Sequence, residues 1–240
     1  MFLAIDGDIL LYKSAISAEV EYEWDADCWS LMSDLNDAKS AFKAQMDTIT
    51  TRLKTENTVI CLSDPASNFR KTVDPTYKSN RRGTRKPVGY KALKEWVGKN
   101  YTTMQKPGLE GDDCLGILAT RPGNDCIMVS DDKDLLGIKG RLYRPSKDEL
   151  IDSQVNDAEH FFLTQVLTGD AVDGYKGCPG IGPKKAEIIL GNRPAWSSVE
   201  QAYIKAGLTK DDALRQARLA RILRWTEWDA EKGEPILWKP

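Results

Sequence analysis

In the stretch Cys126-Ile-Met-Val-Ser-Asp-Asp-Lys-Asp134, a run of apolar residues passes directly into three carboxylates. A short apolar run bounded by polar residues reads as a buried strand. Two other segments repeat the pattern: Phe2 to Ile5 ends at Asp6 and Asp8, and Val59 to Leu62 is followed by Asp64. Unpaired carboxylates at the ends of buried strands cost several kcal/mol unless something neutralises them. In an open parallel sheet, the loops at the carboxyl ends of the strands share one crevice, where acids distant in sequence converge. A turn-starting or helix-capping role would explain any one of these acids, but explains the whole set poorly.

Working outward, strands alternate with helical stretches. The order is strand 2–5, a long helix over about 27–54, strand 58–62, a basic loop, helix 88–98, strand 101–105, helix 111–119, strand 126–130 and a short strand near 141–144. This alternation predicts an α/β fold with a mostly parallel central sheet flanked by helices. From about residue 155 the pattern is wholly helical, with apolar spacing over Ala158–Leu167 and Ala213–Trp225 and a Gly/Pro-rich turn at 174–183.

The 240 residues suit one sizeable core with an appended piece. No apolar run nears the roughly 20 residues of a membrane helix, and the N-terminus lacks a signal-peptide pattern, so a cytosolic protein is expected. The five cysteines form no C-x-x-C pair and read as free thiols. A net charge of −2 conceals segregation: eleven Lys or Arg fall within 70–106, against Asp74 and Glu95. Residues 17–37 carry seven acids and no base, read here as a solvated stretch. A basic surface beside an acidic pocket fits an anionic polymer.

Two further acid groups complete the set. Gly108-Leu-Glu-Gly-Asp-Asp113 lies at a strand-to-helix junction, where Glu110 and Asp113 share a helix face, and Asp170 and Asp173 repeat the three-residue spacing. With a single histidine, His160, placed away from every acid group, the donors are all oxygen. That chemistry points to Mg²⁺, with Mn²⁺ as substitute, and so many acids to two ions. Downstream, Gly180-Ile-Gly182-Pro-Lys-Lys185 opens a helix: glycines let backbone N–H groups approach a phosphate, and Lys184 and Lys185 add charge.

These motifs resemble the 5′ nuclease (flap endonuclease) superfamily. Asp6, Tyr77-Lys-Ser-Asn-Arg81, Gly108 to Asp113, Asp132-Lys-Asp134 and Gly169 to Ala186 follow in the family's order. The Asp6-Gly-Asp8 start, Val73-Asp-Pro-Thr-Tyr-Lys78, Lys86-Pro-Val-Gly-Tyr90, Ala220 to Arg224 and Leu237 to Pro240 look like the 5′ to 3′ exonucleases of short-tailed bacteriophages. The resemblance implies a PIN-like nuclease core over 1–150 with a short basic gateway at about 78–106. A helical DNA-binding region would fill 151–240, with a helix-three-turn-helix element at about 158–190. It implies Asp6, Asp64, Glu110 and Asp112 around one metal, and Asp113, Asp132, Asp134, Asp170 and Asp173 around a second. Lys78 and Arg81 would stand at the scissile phosphate, and Tyr77, Arg82, Gly180, Gly182, Lys184 and Lys185 would touch DNA. Asp8 and Asp131 have no family counterpart, and Gly174-Tyr-Lys-Gly177 departs from the usual Asn-x-Pro-Gly form.

The expected activity is Mg²⁺-dependent 5′ to 3′ exonuclease action on duplex DNA, with flap cutting and RNA-primer removal from RNA–DNA hybrids as family activities. A K⁺ ion at the hairpin, a monomer, no membrane partner, and work in the cytoplasm of an infected bacterium during phage DNA replication are also implied. Tyr90 either stacks on a base or packs on its own helix, and Arg215, Arg218, Arg221 and Arg224 form a basic stripe. Two competing readings are a haloacid-dehalogenase-type phosphatase and a silent DNA-binding module. The first wants Thr or Val where Leu10 stands.

Overall fold

The structure, a computed structural model, describes residues 1–81 and 83–240; Arg82, expected to touch DNA, lies outside the described residues. A six-stranded sheet runs in the order β5 (Thr103–Met104), β4 (Thr58–Cys61), β1 (Phe2–Asp6), β6 (Cys126–Val129), β7 (Gly140–Arg144) and β8 (Glu149–Ser153). All neighbours are parallel except β7 and β8. The register sets Ile5 beside both Ile60 and Val129, so the acids that follow β1, β4 and β6 emerge along one edge.

Helices α1 (Gly7–Ser17), α2 (Leu35–Leu53) and α4 (Tyr90–Asn100), the last preceded by a single-turn α3 (Arg70–Val73), contribute to an apolar core that includes Leu3, Ile5, Leu11, Phe42 and Leu93. A second core, with Leu115, Met128, Leu135 and Leu142, gathers around α5 (Gly111–Thr120). Each such fully buried side chain contributes roughly 1.5–3 kcal/mol. The helical part has its own core, in which α6 (Val155–Thr168), α7 (Pro183–Leu190), α8 (Trp196–Lys205) and α9 (Lys210–Ala220) enclose Phe162, Val166, Val199 and Tyr203. No helix is long and apolar enough to cross a membrane among the described residues.

Five expectations need correcting. The long helix begins at Leu35, capped by Asp34; Cys28–Ser33 is instead a strand, β3, antiparallel to β2 (Glu19–Asp25). The alternation Glu-Val-Glu-Tyr-Glu-Trp-Asp, a period of two, marks that ribbon. The edge strand β8 is likewise new, and the 101–105 strand shrinks to β5. The last helix stops at Ala220, and residues 221–224 continue outside it across α5. A Cβ on Gly116 would lie 2.3 Å from the Leu223 carbonyl oxygen, so glycine is required at this crossing. Finally, the C-terminal part is not wholly helical, because β9 (Trp228–Asp229) pairs with β10 (Glu234–Pro235).

Candidate active site at the carboxyl ends of the strands

Asp6 ends β1 and caps α1: its Oδ1 accepts from the Ile9 N–H at 3.1 Å and its Oδ2 from the Ser130 hydroxyl at 2.6 Å. It is only 3% exposed, with no cationic partner among the described residues. Burial, helped by the charges of Asp8 and Asp132, pushes its carboxyl up to about 6 despite those hydrogen bonds. Asp112, in the first turn of α5, is raised well above the carboxylate range by burial and by Asp6 and Asp132. Asp134 is pushed up to about 7 by burial, then by Asp132 and Asp170; Gln165 of α6 donates to its Oδ1 at 2.8 Å. Asp132 lies between these groups, its Oδ1 accepting from the Asp134 N–H at 2.8 Å and its own N–H donating to Ser130 Oγ at 3.0 Å. These are the capping roles that sequence allows, but the same carboxylates also crowd one another.

The neighbouring acids are already neutralised. Arg70, 3% exposed, forks onto both oxygens of Asp113 at 2.8 Å and reaches Glu110 at 3.2 Å. It also donates to the backbone carbonyls of Leu219 and Arg221. Glu110 further accepts from Lys78 Nζ and, at 3.0 Å, from the Tyr77 hydroxyl. Burial alone would raise Glu110; the charges of Arg70 and Lys78 outweigh it and hold the carboxyl at about 2. Asp173 is met by Arg81 at 2.7 Å, the Tyr77 hydroxyl at 2.9 Å and Lys78 at 3.5 Å.

Lys78 takes a left-handed backbone, φ 54°, and its N–H donates to the Asp173 carbonyl at 2.9 Å. Asn80 donates to the carbonyls of Ala171 and Val172 at 3.0 and 3.2 Å. The loop bearing Lys78 and Arg81 is therefore stitched to the loop bearing Asp170 and Asp173. That second loop is built without the usual Asn-x-Pro-Gly. Gly169 (φ 71°) and Gly177 (φ 66°) pass so closely that a Cβ on Gly177 would lie 2.3 Å from the Gly169 nitrogen.

Several expected roles move. Asp113 has both oxygens on Arg70 and also accepts from the Leu223 N–H, which leaves no lone pair directed at a metal. Asp64 spends its carboxylate on Gly108 N–H, Ser67 Oγ and Ala66 N–H, and is held at about 2, first by the Gly108 bond. These bonds, with the Asp64 N–H donating to the Leu109 carbonyl at 2.8 Å, tie the 108–110 turn in place. Tyr77 is 2% exposed and cannot stack on a base, and Tyr90, 8% exposed, packs inward and donates to Asp8 at 3.3 Å. Asp8 also receives the Ser63 N–H, and Asp131 holds Lys13 at 2.6 Å. The arginine stripe dissolves: Arg221 is buried on Glu227, Arg215 pairs with Asp212, Arg218 donates to the Trp238 carbonyl, and Arg224 lies 3.7 Å from Glu159. His160 sits 3.8 Å from Glu187, outside the site. At the hairpin, Gly180, Gly182, Lys184 and Lys185 are all exposed, and Lys185 folds back to donate to the Gly180 carbonyl at 2.7 Å.

Arg70, Gln165 and Ser130 escaped the sequence reading. Nothing in spacing marks Arg70, which meets Asp113 across 43 residues. Among the described residues no three acids are gathered tightly enough to cage an ion as they stand. The donor chemistry nevertheless fits a hard cation: oxygen-only ligands, buried or half-buried, without an ion pair of their own among the described residues, three of them pushed toward neutrality by burial and then by neighbouring acids.

Residues 1–159 match the family described as "5′-3′ exonuclease, N-terminal resolvase-like domain". The exodeoxyribonuclease of Enterobacteria phage T3 is 27% identical over an alignment of 279 positions, covering 99% of this chain and 92% of the relative. The exonuclease of Escherichia phage T7 is equally similar, with 93% of its length covered. Crystal structures of the phage T5 D15 protein, one co-crystallised with metal ions and one a flap endonuclease complex with DNA and metal ions, share the fold. Each superposes with a TM-score of 0.67 over 91% of this chain and 88% of the other, at 17% and 16% identity. A sheet that delivers its acids to one edge, with the profile match across that sheet, places the chain in the 5′–3′ exonuclease family.

Proposed function

We propose that this chain hydrolyses phosphodiester bonds from the 5′ ends of duplex DNA with two divalent cations, Mg²⁺ in the first instance and Mn²⁺ as substitute. The observation that carries the reading is the group Asp6, Asp112, Asp132 and Asp134, crowded at the strand ends with the carboxyls of Asp6, Asp112 and Asp134 raised and no ion pair to the group among the described residues. Asp6, Glu110 and Asp112 would hold one ion; Asp132, Asp134, Asp170 and Asp173 would hold the other. When bound, such ions supply an activated water and charge stabilisation for the leaving oxygen. Metal ions in the T5 D15 crystals support the cofactor class.

The chain's own residues do the remaining work. Lys78 offers a fixed ammonium, kept protonated, against burial, by Glu110 and Asp173, and Arg81 a second charge beside it. Such preorganised charge favours the phosphorane over the ground state. Tyr77 and Arg70 fix Glu110 so that it need not reorganise. Lys184 and the open N-terminus of α7 would grip a duplex backbone without reading its sequence. A K⁺ ion at the hairpin would have to share the Gly180 carbonyl with the Lys185 ammonium or displace it. RNA-primer removal, flap cutting, a monomeric state and action in the cytoplasm of an infected bacterium belong to the same proposal and rest on the family resemblance.

Digestion of 5′- and 3′-labelled duplex, flap and RNA–DNA substrates with Mg²⁺ or with chelator tests it. Short products released from the 5′ end only with metal are expected; metal-independent cleavage, or 3′ attack, overturns the reading. Family membership sets the phosphatase alternative aside.

A further inference from the structure

Between α1 and α2 a two-stranded ribbon stands apart from the central sheet, since β2 and β3 pair only with each other. Val20 (63%), Tyr22 (49%), Trp24 (63%), Trp29 (58%) and Met32 (54%) are all exposed on it. So many large apolar groups in one small patch mark a contact surface, because each would be more stable out of water. The register sorts them. Val20 faces Met32 and Tyr22 faces Ser30, and Trp24 joins this side, its ring 4.6 Å from Tyr22 and its Nε1 donating to Ser30 Oγ at 2.9 Å. The opposite side carries Glu21 across from Leu31 and Glu23 across from Trp29.

The foot of the ribbon is fixed. Glu19 accepts two bonds from the Arg85 guanidinium, at 2.6 and 2.9 Å, and one from the Val88 N–H. The ribbon is thereby anchored to the basic gateway segment, while both of its long edges lack a strand partner among the described residues. Its charge has one sign: Glu21, Glu23, Asp25 and Asp27 are exposed, and residues 17–37 contain no Lys or Arg. A field of that sign repels a phosphate backbone over roughly a Debye length of 8 Å. Nucleic acid is therefore the wrong occupant for this face.

We propose that the ribbon docks a basic partner protein, which adds an extended segment to one of its free edges. Main-chain bonds to the edge would supply affinity, as in strand addition elsewhere. Apolar side chains of the segment would cover Val20, Tyr22, Trp24 and Met32, and its Lys or Arg residues would face Glu21 and Glu23. The partner would thus be held beside the gateway without covering the acid pocket.

The test uses the full chain and two labelled synthetic peptides, one alternating lysine with valine, tyrosine and leucine, the other a scramble of the same composition. Fluorescence anisotropy should show the alternating peptide binding at least about tenfold more tightly, a difference of about 1.4 kcal/mol. The triple variant Val20→Thr, Tyr22→Ser, Trp24→Ser should lose about that factor, and Glu21→Gln with Glu23→Gln should weaken binding about threefold and reduce its salt dependence. Both variants should melt at the wild-type temperature and degrade duplex DNA at the wild-type rate. Equal binding of the two peptides, or a triple variant that binds as well as wild type, overturns the proposal. So does a triple variant that binds duplex DNA more weakly, which would make the face a nucleic-acid contact. A wild-type dimer in sedimentation that this variant dissolves would assign the face to a second copy.

Discussion

Two halves of one crevice handle negative charge in opposite ways. Around Glu110, Asp113 and Asp173 every carboxylate is matched by Arg70, Lys78 or Arg81, and Glu110 is held at about 2. Around Asp6, Asp112, Asp132 and Asp134 no such match exists among the described residues, and Asp6 and Asp134 rise to about 6 and 7. The charge of the matched half is neutralised within the protein itself. Under the proposed function the unmatched half gains counter-charge only from bound cations; Glu110 and Asp173 would join it as ligands already held in place, whereas Asp113, given over to Arg70 and the Leu223 N–H, serves the architecture alone.

The strongest way to break that comparison is Asp132→Ala, which removes the acid standing next to every other member of the unmatched half. Cleavage of labelled duplex should fall at least about 10³-fold, equivalent to about 4 kcal/mol of barrier, while duplex binding measured in Ca²⁺ stays near wild type. Full activity would show that the crowded acids are not the metal site. In the matched half the comparable change, Arg70→Met, should act mainly on stability. It strands Asp113 with 0% exposure and frees the carbonyls of Leu219 and Arg221. A loss of about 3 kcal/mol is expected in urea melts, with or without Mg²⁺. A stable variant would mean that Asp113 finds another partner, and would reopen its claim to a metal.

Sequence showed the unmatched half well and the matched half poorly. Asp6 and the 131–134 group stand out because apolar runs lead into acids, and the parallel sheet then places them together without further information. Arg70 looked like one more residue in a basic run, since its role depends on contacts 40 and 43 residues away and on residues 219 and 221 crossing nearby. The resemblance puts Asp64 and Asp113 at metals, and sequence cannot tell a carboxylate already held by N–H groups or a guanidinium from a free one. The ribbon at 19–33 was missed for a similar reason: its period of two was legible, but the acids concealed the exposed aromatic side.

A gentler test separates the halves by pH. A carboxyl raised in the folded state binds its proton more tightly there than when unfolded. Its contribution is therefore fully present below the unfolded value near 3.8 and is lost as pH rises through about 6 for Asp6 and about 7 for Asp134. Asp134→Asn should thus melt above wild type at pH 8 without metal, by about 2 kcal/mol, and the gap should close by pH 4. Added Mg²⁺ should reverse the order at pH 8, because only the wild type keeps the full ligand set. Glu110, held low, has the opposite sign: its contribution is present above about 4.5 and is lost as pH falls toward 2. A gap that widens on acidification would contradict the assignment of Asp134 to the unmatched half.

The smallest expected effect carries the same contrast to the helical part. Lys184 and Lys185 are both exposed, but Lys185 donates to the Gly180 carbonyl, a contact Lys184 does not share. If free charge is what meets the duplex, Lys184→Ala should weaken binding modestly and lower the slope of log affinity against log salt by about 0.9, the value for one phosphate contact. Lys185→Ala should leave that slope nearly unchanged and act instead through the hairpin, lowering affinity equally at every salt concentration. Identical slopes for the two variants would mean that Lys185 leaves its carbonyl when DNA arrives, and that the hairpin, unlike the Arg70 pair, is matched only until the substrate binds.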